Sequence, residues 1–385
     1  MTIMRLAGMR NDSSDRLIIR YLILFRHLME TLGTIGTIIS CYVAGLKKSL
    51  GIVMFFSVIG TITNVQSIYT FFYYETGLSV LHDLQELMKK QELNRPASML
   101  HEVTNFTWKW IQIYSFNMIS FMIFYSSLPI VVDFFFFILE IEMTPYLPGK
   151  PFEGFISITE MHSLEYFSLC LTSIIWTSSS IFSSMGHQIL ILIFSMYHML
   201  CITVLLERMK KLGRTINDRS VHERDTAEEK MAEKELIEII QEHNQLLRIG
   251  KNINLYFGFP FAMQNTMASG CVCLLMYASV MEINTDISAM LVNAFCLVLM
   301  FLIAGIPCIL GQRVETLSYQ LCDGLYDLPW YKQSPHLRKY LNMALRQANK
   351  GMKIHYHGRS PLNHNTLINI LNTSYSYFMV LQSSL

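Results

Sequence analysis

Read at helical spacing, the stretch from Pro361 to Leu385 sets Asn365, Asn369, Thr373, Ser376 and Ser384 along one side, with a single apolar residue, Val380, among them. Amides and hydroxyls in such a row neither attack a substrate nor shuttle protons. Their chemistry is to stand in for water around a solvated particle, or to hydrogen-bond neighbouring helices. Leu367, Ile370, Leu371, Phe378 and Leu381 fall mainly on the other sides. The stretch therefore suits a membrane, yet must hide its polar row against protein or against water. If the row meets water it lines a pore, and a ring of Val380 side chains from several subunits makes a constriction that gates by dewetting.

The other residue types able to do chemistry are scattered. His355, His357 and His364 have no acidic or cysteine partner at metal-ligand spacing. The eight cysteines lie nearly all inside apolar runs, where a thiol behaves as a small hydrophobe, and Cys271 and Cys273 point in different directions on a helix. There is no Gly-rich phosphate loop, nucleophile elbow or paired-metal pattern. The sequence thus offers no catalytic residues, no metal site and no cofactor site, and an enzyme is not expected.

These residues sit in a chain that is 52% hydrophobic and only 15% charged, too apolar for an ordinary soluble globule. The expected fold is all-α, a polytopic membrane protein with seven transmembrane helices and membrane lipid as its surroundings. The formal charge of +1 is not gathered into a patch, so nucleic acid is not an expected partner. Apolar runs long enough to cross a bilayer occur at Leu28–Leu46, Leu50–Tyr74, Trp110–Val132, Tyr166–Leu206, Tyr256–Met281 and Ile287–Leu310, with the terminal helix as the seventh. No turn signal divides the fourth run, which reads as one long tilted helix.

Lys and Arg set the orientation. Arg5, Arg10, Arg16, Arg20 and Arg26 share a side with the basic clusters after the second, fourth and sixth spans, whereas the other side holds Lys47, Lys48 and Lys150. The N-terminus is accordingly expected to be cytoplasmic and the C-terminus extracellular. The loop Asp133–Glu165 then lies outside and, with its TPYLPGKPF segment, reads as an ordered lid. Arg219–Lys251 carries Leu236, Ile239, Ile240, Leu246 and Leu247 among dense charge, an amphipathic helix running straight into the fifth span, and ETGLSVLHDLQELMKKQ extends the second span likewise.

From Gly311 and Glu315 through Tyr326, Asp327, Pro329, Trp330 and Tyr331, then Arg338, Lys339 and Arg346, and on to Ser374, Tyr375, Ser376, Tyr377 and Phe378, the chain resembles the C-terminal half of insect odorant receptors. Upstream the similarity rests on span order, the YLPGKPF loop and the LERMKKL exit of the fourth span. The chain lacks the long second-loop insertion of the family's co-receptor, so it resembles a ligand-tuning subunit. The resemblance implies an odorant-gated, nonselective cation channel, a heterotetramer made with odorant receptor co-receptor subunits in the plasma membrane of olfactory sensory neurons. Its partners would be those subunits, a small volatile organic ligand and permeating cations. The family's hydrophobic gate falls on Val380, one turn before Ser384.

The implied division is 1–310 for helices 1–6 with their ligand pocket, 311–360 for a helical cytoplasmic anchor, and 361–385 for the pore-lining helix. A volatile gains most of its affinity from apolar burial, which calls for a small aromatic cavity in the outer halves of the spans. The expected ligand-binding set is Phe55, Phe56, Ile59, Phe121, Phe124, Tyr125, Leu171, Thr172, Ile175, Trp176, Asn293 and Phe295. In the anchor, Leu337, Leu341 and Leu345 have helical spacing, and Tyr326, Trp330 and Tyr331 are aromatics of the kind that anchor interfaces. These six make the expected subunit interface. A homotetrameric gustatory-type channel and a G-protein-coupled receptor are the alternatives, separated from this reading by whether the chain works alone and by which side its termini face.

Overall fold

The computed structural model describes residues 28, 30–36, 38–39, 52–92, 97–138, 163–217, 226–282, 287–332, 334–356 and 361–383. Among them the architecture is helical, with no sheet. After helical residues within 28–39 come α1 (Ile52–Phe72), α2 (Tyr74–Lys90), α3 (Ala97–Ile138), α4 (Ser163–Asn217), α5 (Thr226–Glu282) and α6 (Ile287–Tyr326). A short 3-10 turn (Trp330–Lys332) leads to α7 (Pro335–Ala348), and α8 (His364–Ser383) follows.

The fourth apolar run is one helix: α4 extends over 55 residues, about 80 Å at 1.5 Å per residue. The charged segment before the fifth span joins it in α5, which has 57 residues. The second span and its extension are two helices, α1 and α2, parted by a single turn at Tyr73, whose ring stacks on Tyr69 at 4.3 Å. Below this turn Gly77, Val80, Leu84 and Leu87 form the buried face of α2, at the spacing of an amphipathic helix. Ser178–Ile216 and Val292–Tyr326 are, among the described residues, long and apolar enough to cross a membrane.

Two expected boundaries move. The loop read as Asp133–Glu165 is helical at both ends, because α3 runs to Ile138 and α4 starts at Ser163; the TPYLPGKPF segment lies outside the described residues. The boundary at 310/311 falls inside α6, which continues unbroken to Tyr326. Gly311 stands in mid-helix where the Leu362 backbone, just ahead of α8, packs hard against it.

The core lies where α4, α5 and α6 meet, with Phe194, Tyr256, Phe257 and Phe261 wholly buried in one aromatic cluster. At the charged end of the bundle, Arg208 Nη1 donates to Glu242 Oε1 at 2.6 Å, and Gln91 Nε2 donates to the other carboxylate oxygen at 3.1 Å. Both charges are withdrawn from water, so each depends on its partner. α7 begins at Ser334, whose hydroxyl caps the Leu337 N–H, and buries Leu337, Leu341, Ala344 and Ala348 against the rest of the chain.

The strand of backbone between α7 and α8 is sewn to the bundle. Met352 N–H donates to Ser318 Oγ at 2.9 Å, His355 N–H to Asn254 Oδ1 at 2.5 Å, and Leu362 N–H to Ile354 O at 2.9 Å. Lys353 pairs with Glu315 at 2.9 Å, a hydrogen bond that raises the lysine pKa. Asn363 then caps α8 by accepting from Thr366 N–H at 3.0 Å.

Candidate functional site

Four helices border a narrow, partly open cavity lined by Phe55, Phe56 and Ile59 of α1, Met118 of α3, Trp176, Ser180, Ile181 and Ser184 of α4, and Leu299 and Ile303 of α6. It lies toward the end of the bundle opposite the charged extensions. Phe55 and Phe56 meet edge to face at 5.4 Å, and Phe56 tilts over Trp176 at 6.1 Å.

Trp176 is fixed from behind. Its indole N–H donates to Glu30 O at 3.3 Å, and Ser179 Oγ donates to the Glu30 carboxylate at 3.0 Å. Asn64 Nδ2 donates to Thr34 Oγ1 at 2.9 Å and to Gly60 O at 2.8 Å, tying the 28–39 segment to α1. The indole can lie this close only because Gly33 has no side chain: a Cβ there would stand 2.0 Å from the ring.

Under the cavity is a polar layer. Pro307 has no N–H, so the carbonyl of Ile303, four residues back in α6, loses its intrahelical donor. Gln264 Nε2 supplies one at 2.8 Å, while Gln264 Oε1 accepts from Gln66 and from Gln188, each at 2.9 Å. Side chains from α1, α4 and α5 thus converge on the carbonyl that Pro307 frees in α6, and Ile303 belongs to both the cavity wall and this layer.

α8 lies on α5 and α6. It turns Ile370 and Ser374 inward, and Ser374 Oγ donates to Ser269 O of α5 at 2.9 Å as well as to Ile370 O at 2.6 Å. Of the polar row, Asn365, Asn369 and Ser376 are exposed, Thr373 is half-buried and Ser384 lies outside the described residues. Val380 is 65% exposed. A third face carries Ile368, Leu371, Tyr375 and Met379, also exposed. The helix therefore buries one side in its own chain and leaves two sides uncovered.

Of the expected ligand-binding residues, Phe55, Phe56, Ile59 and Trp176 line the cavity. Leu171 and Ile175 are exposed, since they sit about 140° and 100° around α4 from Trp176. Asn293 is fully buried away from the lining, and Phe295 is half-buried one turn from Leu299. Phe121, Phe124, Tyr125 and Thr172 lie on described helix, but their side chains are outside the described residues. The lining residues not anticipated are Met118, Ser180, Ile181, Ser184, Leu299 and Ile303. Continuing the four-residue step from Trp176 leads to Ser180 and Ser184, so that signal was present in the sequence.

At the anchor, Tyr326, Trp330 and Tyr331 are exposed, Leu345 is half-buried, and Leu337 and Leu341 are spent inside the chain's own core, leaving no surface for a neighbour. Of the three histidines, His355 and His364 are separated by the cap of α8, and His357 lies outside the described residues. His82, Asp83 and Glu86 bring metal-capable atoms within 4.8 Å on one turn of α2, but Asp83 pairs there with Arg248 at 3.7 Å.

The sequence profile described as "7tm Odorant receptor" matches residues 47–375. The chain belongs to the seven-transmembrane odorant receptor family, and is a membrane-spanning receptor, not an enzyme. Odorant receptor 85b of Drosophila melanogaster is 23% identical over 153 residues, 38% of this chain and 37% of that protein. Odorant receptor 63a of the same fly is 29% identical over 89 residues, 22% of this chain and 21% of that protein. The matched part thus spans little more than a third of the first of these curated relatives and about a fifth of the second. The fold is similar over nearly the whole length to the insect olfactory receptor OR5 from Machilis hrabei, with a TM-score of 0.71 at 14% identity, covering 99% of this chain and 95% of that one. The same receptor in complex with eugenol gives 0.64 at 17% identity, covering 100% and 96%.

Proposed function

We propose that the chain is the odorant-binding, ligand-tuning subunit of a ligand-gated nonselective cation channel, a heterotetramer with odorant receptor co-receptor subunits in the plasma membrane of olfactory sensory neurons. Its N-terminus is cytoplasmic and its C-terminus extracellular. The observation that carries this is α8: a helix already packed on its own subunit through Ile370 and Ser374 still presents Asn365, Asn369 and Ser376 uncovered. In a membrane such a row requires water or protein against it, and a central pore supplies water. Ile368, Leu371, Tyr375 and Met379 then meet neighbouring subunits, as do Tyr326, Trp330 and Tyr331 below.

The ligand is a small volatile held in the α1–α3–α4–α6 cavity, in line with the eugenol carried by the similar solved receptor. About ten heavy atoms supply roughly 3–10 kcal/mol, and only the difference in affinity between closed and open states drives gating. Occupancy presses on Ser184 and Ile303. Through Gln264 the pressure reaches α5, whose Ser269 holds Ser374 of α8, and Val380 moves off the axis.

The test is current recording from cells expressing the chain with and without the co-receptor, against a panel of small volatiles. Currents only in the pair, weakened by Trp176→Ala, are expected. Surface-expressed pairs that stay silent to every volatile would overturn the reading, and odorant currents from the chain alone would replace it with a homotetramer.

A further inference from the structure

The cavity surface is apolar, and two serines stand in its wall. Ser180 and Ser184 lie one helical turn apart on α4, both more than nine-tenths buried, and neither hydroxyl has a hydrogen-bond partner. The Tyr114 hydroxyl, buried on α3, approaches Ser184 without closing a well-aligned hydrogen bond. A serine in a helix ordinarily satisfies itself on the carbonyl four residues back, as Thr61, Thr70 and Ser279 do elsewhere in this bundle. Two serines one turn apart that do not, both in the wall of a cavity, keep hydroxyls free to turn toward a guest. The opposite walls are Phe56, Ile59, Met118 and Leu299, which offer no polar side-chain group. No charged side chain lines the space.

Resting on the ligand-binding reading above, we propose that this pocket selects small neutral volatiles carrying a single alcohol or carbonyl oxygen, seated between the hydroxyls of Ser180 and Ser184 with the hydrocarbon part among the aromatic residues. Each serine hydroxyl both donates and accepts, so an alcohol can bridge the pair and a carbonyl can take both donors. A hydrocarbon of the same shape leaves the two hydroxyls buried and unpaired, or has to expel water bound to them. A carboxylate or an ammonium would lose its hydration with no opposite charge lining the cavity, and is excluded.

The test measures binding to the full chain purified in detergent, by thermal stabilisation, with hexanol, hexanal, hexane, hexylamine and hexanoate, and with benzyl alcohol, benzaldehyde, toluene, benzylamine and benzoate. The alcohol and aldehyde of at least one series should bind about tenfold tighter than the matching hydrocarbon, the factor carried by one well-made hydrogen bond. In S180A/S184A that ratio should fall to about twofold or less, through loss of affinity for the oxygenated probes. The unliganded variant should melt no lower than the parent, because the hydroxyls removed had no partner. S184T, which keeps a hydroxyl, should retain the preference and serves if the double variant does not fold. An unchanged ratio in S180A/S184A, tightest binding by an amine or carboxylate, or no binding by any probe would overturn the proposal. Selective binding without current in co-receptor-expressing cells would leave it standing and remove the channel reading instead.

Discussion

Replacing Gly311 by alanine tests how the terminal helix is held. A Cβ at this position would stand 2.2 Å from the carbonyl oxygen of Leu362 and 2.6 Å from its Cβ. No rotamer relieves the first contact, since the atom struck is backbone. That backbone is itself pinned, with the Leu362 N–H on Ile354 O at 2.9 Å and Asn363 capping α8 in the next position. To regain an ordinary separation, α6 and the start of α8 must part by roughly 1 Å. Overpacking of this kind costs about 1–3 kcal/mol, and here it also displaces the entrance of the helix proposed to line the pore. The control is Gly305→Ala on the same helix, where a Cβ meets nothing within 4 Å and where alanine should stabilise by up to about 1 kcal/mol. Melting of the detergent-purified chain should fall for Gly311→Ala and hold or rise for Gly305→Ala, and only the former should change odorant-evoked current. Parent-like melting and currents in Gly311→Ala would refute the close approach of α6 to Leu362.

At the charged end, Glu242→Ala leaves the buried Arg208 guanidinium with only the longer 3.4 Å contact to Glu238 and should cost about 3 kcal/mol in thermal unfolding, whereas the Arg208→Met/Glu242→Leu pair should lie near the parent. His243 is buried with neither ring nitrogen partnered, and burial pushes its pKa down to about 4. Its folded value lies below the unfolded 6.5, so the unfolded chain binds the extra proton between these values and stability falls as pH drops through that window. About 2 kcal/mol should be lost between pH 7 and pH 5. His243→Leu should flatten the part of the melting-temperature profile between pH 7 and pH 5 that belongs to this group. Val380→Ser, altering a residue 65% exposed and touching little of its own chain, should fold normally and raise basal current or alter permeation in co-expressed channels; an unaltered channel would place the gate elsewhere.

The parts legible in the sequence were those written as long one-dimensional patterns. α4 reads as a single helix because nothing between Ser163 and Asn217 breaks it, and the charged first half of α5 announces its continuity through Leu236, Ile239 and Leu246. What periodicity does not fix is which side of an all-apolar helix turns inward. In a membrane span both the lipid side and the core side are apolar, so Ile175 and Trp176 carry equal promise as letters, and only the close crossing at Gly33 decides that the indole faces in. The same limit applies to α7, where Leu337 and Leu341 show a buried stripe without saying whether a neighbour or the chain itself covers it.

The polar residues inside the bundle resolve that ambiguity better than the apolar ones. An amide in a span must find a partner, so Gln66, Gln188 and Gln264 fix the facing sides of α1, α4 and α5 once one of them is placed. Pro307 places it. By freeing the Ile303 carbonyl in the middle of α6 it creates an acceptor inside the membrane that some donor has to fill, and Gln264 is the side chain that reaches it. Pro307, the three amides and the cavity wall at Ile303 are therefore one structural unit. Five residues beyond Gln264 on the same helix, the Ser269 carbonyl holds Ser374 of α8. The most direct route from this cavity to the terminal helix runs through α5, because α8 packs chiefly on α5 and α6.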